Sequence, residues 1–140
     1  MTSLAKGQTA TRIVTVDEQR CISFMGPDNR VYATPRMLSD MEGTCRDLLL
    51  KHLEPGQDSV GTHATLDHSA ATPLGMQVTI EAEVIAIERR TVTFEVVARD
   101  TLEECGRATH VRVVVDNKKR SQRLAGKRAQ IIMTDKDPAQ

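Results

Sequence analysis

Aromatic residues are almost missing from this 140-residue chain: it has no tryptophan, one tyrosine and two phenylalanines. That is too few rings for a platform that stacks the bases of single-stranded nucleic acid. A surplus of either charge is also missing, since nineteen basic and nineteen acidic residues cancel. A dedicated nucleic-acid binder usually carries a basic excess, so none is expected here. Cysteine is scarce. Cys21, Cys45 and Cys105 are odd in number, widely scattered and without any C-x-x-C or Cys/His pairing. They read as reduced, mostly buried thiols, with no zinc site, no other metal and no disulfide framework. No apolar run approaches the roughly 18–20 residues that a membrane helix needs. The opening MTSLAKGQTATRIVTV lacks the continuous apolar core of a secretory signal, which makes the cytoplasm the expected compartment.

The residues that are present, 39% hydrophobic and 27% charged, have the balance of a globular protein, and the length suits one domain. Charge is nevertheless unevenly placed. Residues 117–140 hold seven basic and two acidic side chains, and six of the basic ones fall between Lys118 and Arg128 with no acid among them. The chain therefore divides into a single domain over 1–116 and a basic C-terminal tail or extension over 117–140. That tail is either a solvated segment or an anion contact.

Residues 9–16 and 20–24 have the pattern of short extended segments before a turn at Gly26-Pro27-Asp28-Asn29. Thr34-Pro35 has the form of a helix N-cap and a first-turn proline. Met37, Leu38, Met41, Cys45, Leu48, Leu49 and Leu53 then recur at three- and four-residue steps, predicting a helix that ends before Pro55-Gly56. Alternation predicts strands over 60–72, 76–87, 91–98 and 107–115, with Val60, Ala64, Leu66 and Ala70 sharing a face. Their short connections require a mostly antiparallel sheet, because parallel neighbours need long crossovers. One amphipathic helix on such a sheet of five to six strands is an α+β, two-layer arrangement.

Two polar residues break these patterns. Glu42 lies in line with Leu38, Cys45 and Leu49, and His68 shares a strand face with Ala64 and Leu66. Burying an unpaired carboxylate is costly. The two are therefore partners, parts of a site, or else a satisfied structural core histidine and a glutamate at the edge of the stripe reaching water. His52 and His63 read as surface residues. His110 and Arg112 share the face opposite Val111, Val113 and Val115, where the arginine either meets an anion or snorkels.

The segment VYATPRMLSDMEGTCRDLLLKHLEPGQDSVGTHATLDHSAATPLGMQVTIEAEV resembles the central part of the fluoroacetyl-CoA thioesterase family, small hotdog-fold enzymes. The shared features are V-[YF]-A-T, the M-E on the helix, L-E-P-G, G-T, H-x-A-A-T-P and, more loosely, G-x-[AG]-T-H-x-R. The resemblance implies acyl-CoA thioester hydrolysis without a cofactor. It implies a catalytic set of Thr34, Glu42 and His68, with Gly61 near the acyl end of the ligand and Arg112 near the site. Thr34 and Glu42 are eight residues apart, about 12 Å along a helix, and cannot touch. The resemblance resolves this through a homodimer whose ligand site lies between subunits. It also implies an aromatic lid ahead of V-Y-A-T. In this chain only Phe24 offers a ring there, with Met25 beside it and Asp28 near the other position. An acyl-CoA other than the fluoroacetyl one is therefore the expected substrate. The alternatives are a hotdog dehydratase or hydratase, and a non-catalytic acyl-CoA-binding module.

Overall fold

The computed structural model describes residues 3–135. Five strands form one antiparallel sheet: β1 (Thr9–Thr15), β2 (Gln57–His68), β3 (Gln77–Glu88), β4 (Thr91–Asp100) and β5 (Glu104–Asp116), in the order β1-β3-β4-β5-β2. The long helix α1 (Thr34–Leu50) packs across one face, and a second helix, α2 (Asn117–Asp135), follows β5. This is the α+β arrangement that the pattern predicts, with five strands.

The core is the layer between α1 and the sheet. Met37, Met41, Cys45, Leu48 and Leu49 are buried against Val78, Ile80, Ala82 and Val84 of β3 and Val92, Phe94, Val96 and Ala98 of β4. Each large side chain in that layer contributes about 1.5–3 kcal/mol on leaving water. Gly106 lets the helix settle on β5, for a Cβ there would lie 2.4 Å from Met37 Sδ. The three cysteines are free, and burial pushes the Cys45 thiol up to about 12, which makes it inert.

Several local expectations change. The stretch 20–24 is not a strand: a 3-10 turn covers Glu18–Arg20, and Cys21 makes only an isolated bridge to Tyr32. The cap of α1 is Ala33 rather than Thr34, and no side chain caps it. The helix ends at Leu50, short of Leu53. β2 contains a bulge between Gly61 and His63, and the extra residue, Thr62, switches the strand's faces. Val60 therefore points away from α1 with its partner Val113, and Ser59 is buried in its place. The basic segment is helical through Asp135, because Asp116 accepts a hydrogen bond from the Lys119 amide (2.9 Å) and so caps the first turn. Residues 136–140 lie outside the described residues.

Candidate active site

α1 is held at its start by a buried carboxylate. Asp40 accepts hydrogen bonds from Arg20 (2.8 and 3.1 Å) and from the Tyr32 hydroxyl (2.5 Å). Burial, and then this bond to Asp40, raise the Tyr32 phenol above its ordinary range. The amides of Tyr32 and Ala33 are tied to the carbonyls of Thr72 and Arg20. These bonds lock the residues that lead into the helix and so place Thr34. Sequence periodicity passed over Asp40, although Met37, Asp40, Met41, Thr44 and Leu48 follow helical spacing and all are buried.

The first cluster joins the helix start to the end of β2. Thr34 Oγ1 lies 2.7 Å from His68 Nδ1, in a hydrogen bond whose proton position depends on the imidazole tautomer. The other ring nitrogen, His68 Nε2, is buried and makes no well-formed hydrogen bond among the described residues, with the Ala70 backbone near the ring. Such an atom costs about 1–3 kcal/mol when left unsatisfied. Thr34 and His68 line a cavity of about 390 Å³, together with Ile22, Phe24, Val31 and Ala70. That volume is within the range of small-ligand sites. Phe24 is 82% exposed at its rim, whereas Met25 is exposed and outside the lining. Asp28 sits in a 3-10 turn over Pro27–Asn29 and lies outside that lining too.

The second cluster lies toward the other end of β2. Arg112 does not snorkel but is buried, donating to Ser59 Oγ (2.7 Å), to the Ser59 carbonyl (2.8 Å) and to His110 Nε2 (3.1 Å). His110 Nδ1 in turn donates to the His63 carbonyl (2.9 Å) beside the bulge. Gly61 accommodates this ring, because a Cβ there would lie 2.9 Å from His110 Cε1. Burial pulls the Arg112 guanidinium below its ordinary value, and the negative charge of nearby Glu42 opposes that shift. Glu42 itself is half-buried on the flank of α1, and its carboxylate makes no hydrogen bond or ion pair among the described residues. His52, taken as a surface residue, is half-buried with Nδ1 2.7 Å from Ser3 Oγ.

One chain therefore brings Thr34 to His68, and sets Glu42 in the surroundings of Arg112 and His110. Gly61 and His68 are seven residues apart on β2, roughly 23 Å of strand. Glu42 and His68 are not partners within the chain. Sequence patterning missed Ser59 because the bulge reverses its face, and a two-residue G-T pair carries no signal for a bulge.

Burial lowers the pKa of both His68 and His110 below the ordinary histidine value of 6.5. Their native forms are therefore neutral, and acid favours the unfolded chain, which binds more protons. The stability this contributes is fully present above about pH 6.5 and is lost as pH falls through the lowered native values. Urea unfolding followed at a series of pH values is expected to show a level midpoint above neutrality and a falling one below about pH 6.5. A His68→Gln variant should flatten part of that fall, and a midpoint that rose on acidification would contradict the assignment.

Among the described residues no group of histidine, cysteine, aspartate and glutamate is arranged to hold a metal, and no helix is long and apolar enough to cross a membrane. Residues 16–118 match the family model described as "FlK: Fluoroacetyl-CoA-specific thioesterase". The fluoroacetyl-CoA thioesterase of Streptantibioticus cattleyicolor is 34% identical over 116 residues, covering 78% of this chain and 84% of that protein. A variant of FlK solved in complex with acetyl-CoA superposes with a TM-score of 0.82 at 30% identity, over 89% of this chain and 98% of its own. A thioesterase superfamily member from Thermus thermophilus, TTHA0967, shares the fold at a TM-score of 0.87 and 24% identity, over 95% and 99% of the two chains. With a family model spanning most of its length and a relative above 30% identity, this chain belongs to the FlK family of hotdog-fold thioesterases.

Proposed function

We propose that this protein hydrolyses an acyl-CoA thioester at a site shared by two copies of the chain. The observation that carries the reading is His68 Nε2, buried without a well-formed hydrogen bond in the wall of a ligand-sized cavity while Thr34 holds the opposite ring nitrogen. An imidazole so held, and neutral at pH 7, is ready to exchange a proton with a ligand.

The shared site follows from β2, which is an edge strand. Two copies pairing antiparallel along that edge bring the start of one β2 opposite the end of the other. Glu42, Gly61 and Arg112 of one copy then face Thr34 and His68 of its partner. A homodimer also extends the sheet and covers its β2 edge.

In this site the thioester carbonyl is attacked by water that Glu42 deprotonates, or by the Glu42 carboxylate itself, giving an anhydride that water later opens. Either route breaks the C–S bond. The proton that the attacking water gives up, relayed by way of the neutral His68 ring, ends on the CoA thiolate, and the products are the free acid and CoA. Thr34 donates a hydrogen bond, and the backbone near Gly61 offers an amide to the oxyanion. An acyl-CoA substrate is compatible with the cytoplasmic compartment expected from the sequence.

Incubation with acyl-CoAs and a free-thiol reagent tests the reading. Thiol release supports hydrolysis. A 3-hydroxyacyl or enoyl product means hydratase chemistry instead, and binding without turnover means a sensor. The same panel tests the acyl preference. Close packing around one small substituent is what discriminates it, and such discrimination is worth only about 1–3 kcal/mol even in a tight apolar pocket. With one exposed ring at the rim, kcat/KM for fluoroacetyl-CoA is expected to lie within about tenfold of that for acetyl-CoA, with another acyl-CoA preferred. A preference of about a thousandfold or more for fluoroacetyl-CoA would overturn this expectation.

A further inference from the structure

The helix α2 lies almost wholly beyond the family-matched segment, which ends at residue 118. It is exposed along its described length and carries Lys118, Lys119, Arg120, Arg123, Lys127 and Arg128. None of these six makes an ion pair among the described residues. By contrast, Arg12, Arg20, Arg30, Arg46, Arg99 and Arg107 in the body are each paired with a carboxylate. The imbalance is deliberate in placement: residues 1–116 carry seventeen acidic against twelve basic side chains. An anionic ligand is therefore repelled by the body and attracted by α2.

The charges on the first turns of α2 also border a recess. Lys119, Arg120 and Arg123 meet Arg90, from the turn between β3 and β4, around a cavity of about 220 Å³ floored by Val113–Val115. Asp116 belongs to the same wall, and it is already engaged in capping α2. Four cationic side chains from two separate elements thus converge beside one another. The recess is also near the proposed site. Asp116 is four strand residues beyond Arg112, about 13 Å. That span is on the scale of the pantetheine arm that separates a thioester from the phosphates of CoA.

We propose that Arg90, Lys119, Arg120 and Arg123 form a phosphate-binding subsite that takes the nucleotide end of the CoA thioester. The inference rests on the acyl-CoA reading above, and it adds the part of the substrate that the hydrolytic residues do not touch. Guanidinium groups suit it, since they present paired N–H donors to phosphate oxygens. Contacts of this kind are exposed, so they act through summed charge and weaken as salt is added.

The experiment compares kcat/KM for acetyl-CoA with kcat/KM for acetyl-pantetheine, which lacks the phosphates, in the unsubstituted protein and in an R90Q/K119Q/R120Q/R123Q variant. The CoA-to-pantetheine ratio is expected to fall by about tenfold or more in the variant, through KM rather than kcat, and to fall in the unsubstituted protein as salt is raised. An unchanged ratio overturns the subsite. So does an equal loss on both substrates, which marks damage to the fold or to subunit assembly. If the unsubstituted protein hydrolyses no acyl-CoA of the panel above, the functional reading fails, and calorimetric titration with free CoA decides the subsite separately. Salt-sensitive CoA binding that the variant loses supports it. Binding equal in both proteins, or a preference of α2 for oligonucleotide over CoA in competition, overturns it.

Discussion

Replacing Glu42 with glutamine is expected to lower kcat for acyl-CoA hydrolysis by about 10²–10⁴-fold with the fold retained, and His68→Ala is expected to do the same. The amide of Glu42→Gln keeps the side chain's shape but can neither accept a proton nor attack a carbonyl. The carboxylate has no hydrogen-bonded or ion-paired partner to lose among the described residues, so the change removes only its charge near the buried Arg112. His68→Ala deletes the ring whose Nε2 is buried without a well-formed hydrogen bond, so its removal relieves a desolvated polar atom while taking away the proton carrier. Thr34→Ala should be milder in turnover. It leaves helix capping untouched, since Ala33 occupies the cap and the threonine hydroxyl is turned to His68. Steady-state kinetics at pH 7.5, with circular dichroism to verify the fold, checks all three. Turnover at the unsubstituted rate in either Glu42→Gln or His68→Ala would sink the mechanism.

The second large effect is a recovery. Co-expressing the Glu42→Gln and His68→Ala chains should restore activity to about one quarter of the unsubstituted level, although each alone is nearly inactive. A shared site draws Glu42 from one chain and His68 from the other. A mixed dimer then has one site carrying both substitutions and one carrying neither. Random association makes about half the dimers mixed, each with one of its two sites intact. The prediction follows from the separation of Gly61 and His68 along β2, which no side-chain rotation closes. Distinguishable tags allow the mixed dimer to be purified and its mass measured. A mixed dimer of verified composition with no recovered activity would mean that each chain builds its site alone, or that a different edge forms the dimer.

The sequence by itself determined the long helix and the antiparallel strands that pack on it, and it marked the candidate residues of the site. α1 was legible because its apolar residues recur at helical steps, and β3 and β4 because a half-buried strand alternates strictly. Glu42 and His68 stood out for the same reason: each is a polar residue on a periodicity that otherwise leads into the core. Arg112 and His110 were assigned correctly to one face of β5. Their depth was not legible, since Val111, Val113 and Val115 made the opposite face look like the buried one.

Tertiary structure alone decided the rest. Three forces that act between elements, and leave no period in the chain, account for it. A single extra residue in β2 reverses the faces on either side of it, burying Ser59 and turning Val60 outward. A buried carboxylate must find partners wherever the fold brings them, and Asp40 finds Arg20 twenty residues away and Tyr32 eight. Thr34 carries a hydroxyl that suits an N-cap equally well, and it turns to His68 only because β2 ends beside the first turn of α1. Local propensity weighs neighbours in sequence, whereas desolvation weighs neighbours in space. In this protein the hydrogen bonds of the site, including the one between Thr34 and His68, belong to the second kind.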